Sequence, residues 1–246
     1  MGDRTAIPWT DSTLSFLTGC KKVSEGCKNC YMYRIYPRLK AMGVRGYSTS
    51  PDTLFIMEDR IRVPLHWRRG RKIFPNSMSD TFHELVPYWL LDDFFDVMDA
   101  TPQHIYQLLT KRPGNMLNYA RYRLEKRGKP WPANAWAGVS VENQLRTSRI
   151  APLMALRHLV SVLWVSYEPA LGAVDFRPWM EHPFDWLVIG GESGPRTMDV
   201  EWMRAACDVV RYARIPVFVK QDSGPRAGMQ GRIPDDLWAL KEFPGP

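Results

Sequence analysis

Three cysteines, Cys20, Cys27 and Cys30, lie within eleven residues near the start of the chain. Six residues and then two residues separate them, and only one other cysteine occurs in the sequence. Thiols that are so few and so clustered fit metal or redox chemistry better than a disulfide framework. Three thiolates can hold three irons of a [4Fe-4S] cluster and leave the fourth iron open to an exchangeable ligand. We therefore predict such a cluster on these three cysteines.

Zinc is the main alternative, because a Cys-x2-Cys pair is common in zinc sites. A structural zinc ion needs four protein ligands, and no further His or Cys follows closely in the sequence. The distant residues that would have to complete the site are His66, His83, His104 or Cys207. Unliganded, buried cysteines are a second alternative, but the polar residues between them argue against a core segment. Cys207 itself lies on the apolar stripe of a predicted helix, which indicates a structural role.

Eight short apolar runs, several of them rich in β-branched residues, alternate along the chain with stretches of helical periodicity. The runs are 13–18, 53–57, 72–76, 104–109, 135–139, 160–165, 186–189 and 217–219. Helices are predicted between them, for example over 87–100 and 200–213. This alternation predicts an α/β fold, a complete or near-complete parallel (β/α)8 TIM-like barrel in a single domain over 1–246. A six-stranded partial barrel with an antiparallel hairpin near 52–62 is the alternative.

The active site of a parallel barrel lies at the carboxyl ends of its strands, so the residues after each run are the candidates. The loop predicted to hold the cluster, 19–31, follows the first run, and a C-terminal tail begins at about 223. Polar residues follow the later runs, namely Asn76, Ser77, Ser79, Asp80, Thr110, Lys111, Arg112, Ser140, Glu142, Asn143, Glu168, Gly190, Gly191, Glu192, Lys220, Gln221 and Asp222. We predict a pocket at this end of the barrel. A structural ring of ion pairs among the charged members is the alternative.

The chain carries a net charge of +7 and has a pI of about 9.3. Such a charge attracts anions, and nucleic acid is the macromolecular anion that basic proteins most often meet. Basic residues cluster in 66–72 and in 120–129, although runs of this kind are also found on solvated loops and helices. No apolar run is long enough to span a membrane, and the first residues lack the pattern of a signal peptide. We therefore predict a cytoplasmic location without a membrane partner.

The sequence resembles a phage-encoded three-cysteine-motif family of uncharacterised proteins, thought to be related to radical S-adenosylmethionine enzymes. The resemblance rests on ordered blocks from Trp9 to about Lys220: WTDST, TGC, GCKNCY, NSMSDTFHE, LTKRP, GVSVEN, EPALG, GGESGP and VFVKQ. The tail GRIPDDLWALKEFP also fits the family's usual ending. The chain departs from the superfamily in spacing its cysteines x6 and x2 instead of x3 and x2. Asn29 also stands where an aromatic residue often precedes the third cysteine.

The resemblance implies a radical S-adenosylmethionine-type enzyme. The open iron would bind the cofactor's amino and carboxylate groups, and one electron would cleave its sulfonium to methionine and a 5′-deoxyadenosyl radical. The implied cofactor-binding residues are Asn76, Ser77, Ser79, Ser140, Glu168, Gly190 and Gly191. The implied catalytic residues are Glu142, Glu192 and Lys111, and the implied substrate-binding residues are Arg112, Lys220 and Gln221.

The resemblance also implies partners. An electron donor such as flavodoxin or ferredoxin would reduce the cluster, and the phage context would place the protein in the host cytoplasm. Together with the basic charge, that context favours a nucleic-acid base or a nucleotide-linked compound as the substrate, for example in DNA modification, rearrangement or repair. The alternative function is a non-catalytic nucleic-acid-binding protein, or a phage interaction protein, with a structural Fe-S or zinc site.

Overall fold

The computed structural model describes residues 5–245 as an α/β domain built on a parallel sheet. The strands are β1 (Ser12–Leu14), β2 (Leu17–Thr18), β3 (Phe55–Ile56), β4 (Lys72–Pro75), β5 (Ile105–Thr110), β6 (Ala135–Ser140), β7 (Leu163–Tyr167), β8 (Trp186–Gly190) and β9 (Val217–Gln221). Seven of them form one sheet in the order β1-β4-β5-β6-β7-β8-β9, and every neighbouring pair is parallel. The sheet curls into an open half-barrel, with β1 and β9 as its edges.

Helices connect most of these strands, as parallel pairing requires. They are α1 (Tyr31–Ala41), α2 (Tyr88–Asp99), α3 (Pro113–Arg127), α4 (Ile150–Met154), α5 (Val200–Tyr212) and α6 (Asp235–Trp238). Short 3-10 helices lie at Glu25–Cys27, Glu58–Arg60, Val63–His66, Gln144–Arg149 and Arg177–Trp179. The buried faces of α2 to α5 pack with strand residues into one large apolar core. These elements therefore cover the outer face of the half-barrel.

The inner face of the sheet changes from aromatic to polar along each strand. Trp164, Ser166 and Glu168 alternate along β7 and just beyond it, and so point to the same face. Trp164 packs in a separate cluster that contains no helix residue. The other strand residues of that cluster are Trp136, Trp186, Val188 and Phe218. Aromatic rings thus fill the amino-terminal half of the inner face, and small or polar side chains remain at the carboxyl ends.

The expectation of a complete eight-stranded barrel is only partly met, because the first two runs do not each supply a barrel strand. The first run divides into β1, which pairs with β4, and β2, which pairs antiparallel with β3 in a separate two-stranded sheet. The Asn76 side-chain oxygen accepts the backbone N–H of Phe16 at 3.1 Å and of Leu17 at 3.0 Å. These bonds bend the chain out of the main sheet after β1. Of this antiparallel pair, only β3 lies in the region of the alternative hairpin, 52–62, because its partner β2 comes from the first run.

The tail after β9 returns along the edge of the sheet. Val219 donates to the carbonyl of Leu240 at 2.9 Å, and Phe218 and Lys241 form an antiparallel bridge. An edge strand covered in this way cannot pair with another chain. Among residues 5–245, no helix has both the length and the apolar character needed to cross a bilayer.

Candidate metal centre and cavity

A cavity of about 520 Å³ opens at the carboxyl ends of the parallel strands, and all three clustered cysteines line it. Other residues with predicted roles also line it: Ser77, Ser79, Ser140, Glu168, Gly191, Lys111, Glu192, Arg112 and Lys220. Because parallel strands end at one edge, residues that are far apart in sequence meet there. The structure therefore brings together twelve of the sixteen residues predicted from the sequence.

The loop that carries the cysteines, residues 19–30, starts at a position that only glycine fits. Gly19 has φ +80°, and a Cβ there would lie 2.0 Å from the Thr53 carbonyl oxygen. Its own carbonyl accepts the Ser79 hydroxyl at 2.6 Å, and the Cys20 N–H donates to the Pro51 carbonyl at 2.9 Å. One side-chain and one backbone hydrogen bond, from two neighbouring segments, thus fix the first cysteine.

Glu142, at the end of β6, holds the middle of the same loop. Its carboxylate is fully buried and accepts the Ser24 hydroxyl at 2.6 Å. Arg149 forms an ion pair with the other carboxylate oxygen at 2.8 Å. Gly26 lies directly against this side chain, since an added Cβ would come within 2.5 Å of it. Glu142 does not line the cavity, so its observed contacts are those of a residue that positions the loop.

Glu192, after β8, holds the end of the loop. It accepts the Asn29 amide at 2.9 Å and is paired with Arg196. Burial disfavours its charge, but the bonds from Arg196 and Asn29 outweigh that effect and hold the pKa of Glu192 below its usual range. The side chain lines the cavity as a paired carboxylate. A role as a proton donor would require this pairing to break.

Arg112 joins the sheet to the first cysteine. One terminal nitrogen lies 3.7 Å from the Cys20 sulfur and 3.1 Å from the Asp80 carboxylate. The other terminal nitrogen donates to the Lys21 carbonyl at 3.0 Å, and Nε donates to Glu84 at 2.7 Å. Its three nitrogens thus already have acceptors within the protein. A substrate contact, which the sequence predicted for Arg112, would have to displace one of them.

Burial opposes ionisation of two of the thiols at this site, Cys20 and Cys30. Burial, helped by the charge of Asp80 and opposed by Arg112, raises the pKa of Cys20 to about 12. Burial also raises the pKa of Cys30. Metals bind thiolates, so loading this site releases protons. Arg112 and Lys111 are the cations beside these two sulfurs that compensate the negative charge.

Two serines on neighbouring strands offer hydroxyl groups to the cavity. Ser140 of β6 and Ser166 of β7 are partners in the strand register, and both line the cavity. Within residues 5–245, neither side chain makes a hydrogen bond. Beside them, Lys220 and Glu168 form an ion pair across the cavity wall. These groups are available to a ligand without loss of a bond that holds the loop.

Four predicted site residues do not line the cavity: Asn76, Glu142, Gly190 and Gln221. The amide of Asn76 is used by the bend after β1 and by Thr81, to which it donates at 3.0 Å. The amide of Gln221 donates to Gly191 and Ser193, and its oxygen accepts the N–H of Gly228. Both side chains are at most 2% exposed, which fits structural positions.

Several cavity residues received no role from the sequence. Asp80 accepts bonds from Thr110, Arg112 and the backbone at Phe82 and Lys111, and thus organises the ends of β4 and β5. Its place in the row of strand-end residues was the signal for it. Asn29, Arg34, Ser166 and Ser193 also line the cavity, but only the folded chain shows which side chains turn inward.

A single metal ion and an iron-sulfur cluster require different arrangements of ligands. A zinc ion needs ligands that converge on one point. Across residues 5–245, no three His, Cys, Asp or Glu side chains are placed to hold one metal ion. A cubane cluster takes one thiolate per iron, so it requires only three thiols that face the same space. The three cysteines meet that requirement because they line one cavity.

Comparison with known proteins gives a single finding. No curated protein and no solved structure matches the chain. A family model described as protein of unknown function (DUF5131) matches residues 4–232, which is most of the chain and includes every residue of the cavity. The chain belongs to the DUF5131 family.

Proposed function

We propose that the protein is a radical S-adenosylmethionine-type enzyme that holds a [4Fe-4S] cluster on Cys20, Cys27 and Cys30. The observation that carries this proposal is that all three thiols line one cavity at the carboxyl ends of a parallel sheet. Its volume, about 520 Å³, falls in the range of roughly 300 to 1,000 Å³ that is typical of small-molecule sites. When bound, the cluster would supply one electron to the sulfonium of S-adenosylmethionine, giving methionine and a 5′-deoxyadenosyl radical.

The residues of the chain position the reactants and exclude water. The aromatic cluster that includes Trp9 and Trp164 packs on the inner face of the sheet, and Trp9 also lines the cavity. Ser140 and Ser166, which line the cavity, would donate to hydroxyl or carboxylate groups of the cofactor. Lys220, beside Glu168, is suited to an anionic group of the substrate. The substrate class that we propose is a nucleic-acid base or a nucleotide-linked compound, on the strength of the +7 charge.

The test is anaerobic reconstitution of the protein with iron and sulfide, followed by reduction in the presence of S-adenosylmethionine. We expect about four irons and four sulfides per chain and the formation of 5′-deoxyadenosine, as a single [4Fe-4S] cluster requires. Cys27→Ala removes one cluster ligand and should abolish the product. Cys207→Ala is the matched control, because Cys207 lies in α5, outside the cavity, and should leave product formation intact.

One outcome would overturn the proposal. If the protein binds one equivalent of zinc in preference to iron and releases no 5′-deoxyadenosine, the site is structural. The protein would then belong to the class of non-catalytic nucleic-acid-binding or interaction proteins.

A further inference from the structure

One segment near the cysteines carries a large share of the net positive charge, in addition to the basic runs 66–72 and 120–129. Residues 21–45 contain seven Lys and Arg residues and one Glu, a net charge of +6, whereas the whole chain carries +7. The rest of the chain therefore sums to +1. This segment comprises most of the cluster loop and all of α1. We call it the basic segment.

The basic side chains of this segment are exposed, and within the described residues most of them have no carboxylate partner. All seven are exposed to solvent: Lys21, Lys22, Lys28, Arg34, Arg38, Lys40 and Arg45. Within the described residues, only Arg45 has a carboxylate partner, Asp59, at 2.8 Å. In the basic run 120–129, by contrast, Arg123 and Arg127 of α3 are paired with aspartates of α2. The charge of the basic segment is thus available to an external anion.

The basic segment lies at the mouth of the cavity. Arg34 itself lines the cavity and donates to the carbonyl of Ser193, another lining residue, at 3.1 Å. Arg38 lies one turn further along α1, at a distance of about 6 Å along the helix axis. Lys28 is in the cluster loop, between two of the cysteines. A row of positive charge therefore starts at the mouth and continues outward.

We infer that a nucleic acid docks its phosphate backbone on the basic segment and places one nucleotide in the cavity. A chain of phosphates matches a row of exposed, unpaired cations. Tyr31 supplies an aromatic ring at the same mouth: it is 37% exposed, lines the cavity and is held by a hydrogen bond to the Ser77 carbonyl. A base that leaves the stack is commonly received by such a ring.

The observed contacts disfavour a role for this charge in cluster compensation, cofactor attraction or membrane binding. The sulfurs already have Arg112 and Lys111 beside them, so the exposed cations are not needed to compensate the cluster. S-adenosylmethionine carries a cationic sulfonium, which a positive rim does not attract. A membrane-surface helix needs a free apolar face, but on α1 Met32 and Tyr36 are buried, and Tyr33, Ile35 and Leu39 pack against that buried cluster.

The docking step is independent of the proposed radical chemistry. Only the reaction of the docked nucleotide rests on the proposed function. The test measures binding of the full-length protein, handled anaerobically, to a fluorescein-labelled single-stranded DNA of mixed sequence by fluorescence anisotropy across a salt series. The double variant Lys28→Glu/Arg38→Glu removes no side-chain hydrogen bond within the described residues. We expect it to weaken binding at least tenfold and to reduce the salt slope by about two.

The matched control is Arg68→Glu/Arg69→Glu, which changes the net charge equally on an exposed loop before β4, at the opposite end of the sheet. It should change the affinity for DNA less than about twofold, because salt screens surface charges that lie far from the contact. Equal losses in both variants would show that only the total charge matters and would overturn the inference. Binding of phosphatidylserine vesicles in place of DNA would overturn it as well.

Two further variants keep the test clear. Lys28→Gln/Arg38→Gln removes the charge without reversing it, and it replaces the first variant if the charge-reversed protein is unstable. It should lower the affinity for DNA in the same way but by less. Cys27→Ala should lose cofactor cleavage but keep the affinity for DNA. Loss of cleavage and loss of docking are thus separate results.

Discussion

Arg112 is the residue through which the sheet contacts the first cysteine sulfur. Asp80 and Glu84 orient its guanidinium so that one nitrogen lies 3.7 Å from the Cys20 sulfur. Hydrogen bonds to ligand sulfurs and nearby positive charge favour the reduced form of an iron-sulfur cluster. Toward the proposed cluster, Arg112 would therefore act as a positioning residue, and we expect its main effect on the redox potential.

The first prediction concerns that potential. Arg112→Gln removes the charge and the sulfur contact, so the midpoint potential of the reconstituted cluster should become more negative. A differential stabilisation of about 1 kcal/mol corresponds to roughly 40 mV for a one-electron couple. A redox titration followed by electron paramagnetic resonance measures it. Arg157→Gln, which breaks an ion pair with Asp185 before β8, is the control and should leave the potential unchanged.

The second prediction concerns the two serines whose hydroxyls face the cavity. Ser166→Ala and Ser140→Ala should each raise the KM for S-adenosylmethionine about fivefold, because a net hydrogen bond contributes about 1 kcal/mol. The hydroxyl of Ser161 donates to Ala133 at the amino-terminal end of the sheet, so Ser161→Ala is the matched control. An unchanged KM in both cavity variants would show that neither hydroxyl contacts the cofactor.

At the scale of elements, side chains at the strand ends hold the loop that carries the cysteines, residues 19–30. Ser79 after β4, Arg112 after β5, Glu142 after β6 and Glu192 after β8 each hold a different point of it. Four widely spaced anchors define the positions of the three thiols before any metal binds. Charged strand-end residues can therefore be essential without contact to a ligand.

The third prediction tests whether the conformation of this loop is fixed. Gly26→Ala places a Cβ 2.5 Å from the Glu142 side chain, so the loop must shift. We expect a loss of about 1 to 3 kcal/mol in the free energy of unfolding, as in other overpacked sites, together with a lower iron content after reconstitution. Gly114→Ala in α3, where a Cβ meets no atom within 4 Å, should keep the iron content. Full iron loading of Gly26→Ala would argue against a loop with a fixed conformation.

The meeting of strand-end residues and cysteines at one cavity could be predicted from the sequence. The carboxyl ends of parallel strands meet at one edge, whatever the conformation of the loops. The partner of β3 could not be predicted: the alternative of an antiparallel hairpin near 52–62 had the antiparallel direction, but a two-residue strand does not reveal that it pairs with β2. The structural roles of Asn76 and Glu142 could not be predicted from the sequence either. Their partners, Leu17 and Ser24, lie 59 and 118 residues away in the sequence, and only the folded chain shows that these side chains are already engaged.

At the scale of the whole molecule, one half of the sheet stabilises the fold and the other half forms the cavity. The outer core and the aromatic inner cluster bury most of the apolar side chains, while the cavity end collects the polar and charged groups. Stability can therefore be probed at residues that do not contact the cavity. His104, which precedes β5 and is fully buried, is such a residue.

The fourth prediction is a pH dependence of stability. Burial lowers the pKa of His104 below its usual value of 6.5, so the folded protein holds this imidazole neutral. The unfolded chain binds the proton first, and the stabilisation that is present above pH 6.5 is lost as the pH falls below it. Urea unfolding between pH 7 and 5 should show this loss, at most about 1.4 kcal/mol per pH unit from one group. His104→Asn should reduce the slope, whereas the exposed His182→Asn should not.

The central claim is that three cysteines hold a cluster with one iron open to a small-molecule ligand. The most direct measurement is the electron paramagnetic resonance spectrum of the reduced, reconstituted protein with and without S-adenosylmethionine. We predict that the cofactor changes the g values, because it binds the open iron. Identical spectra at saturating cofactor would contradict the claim.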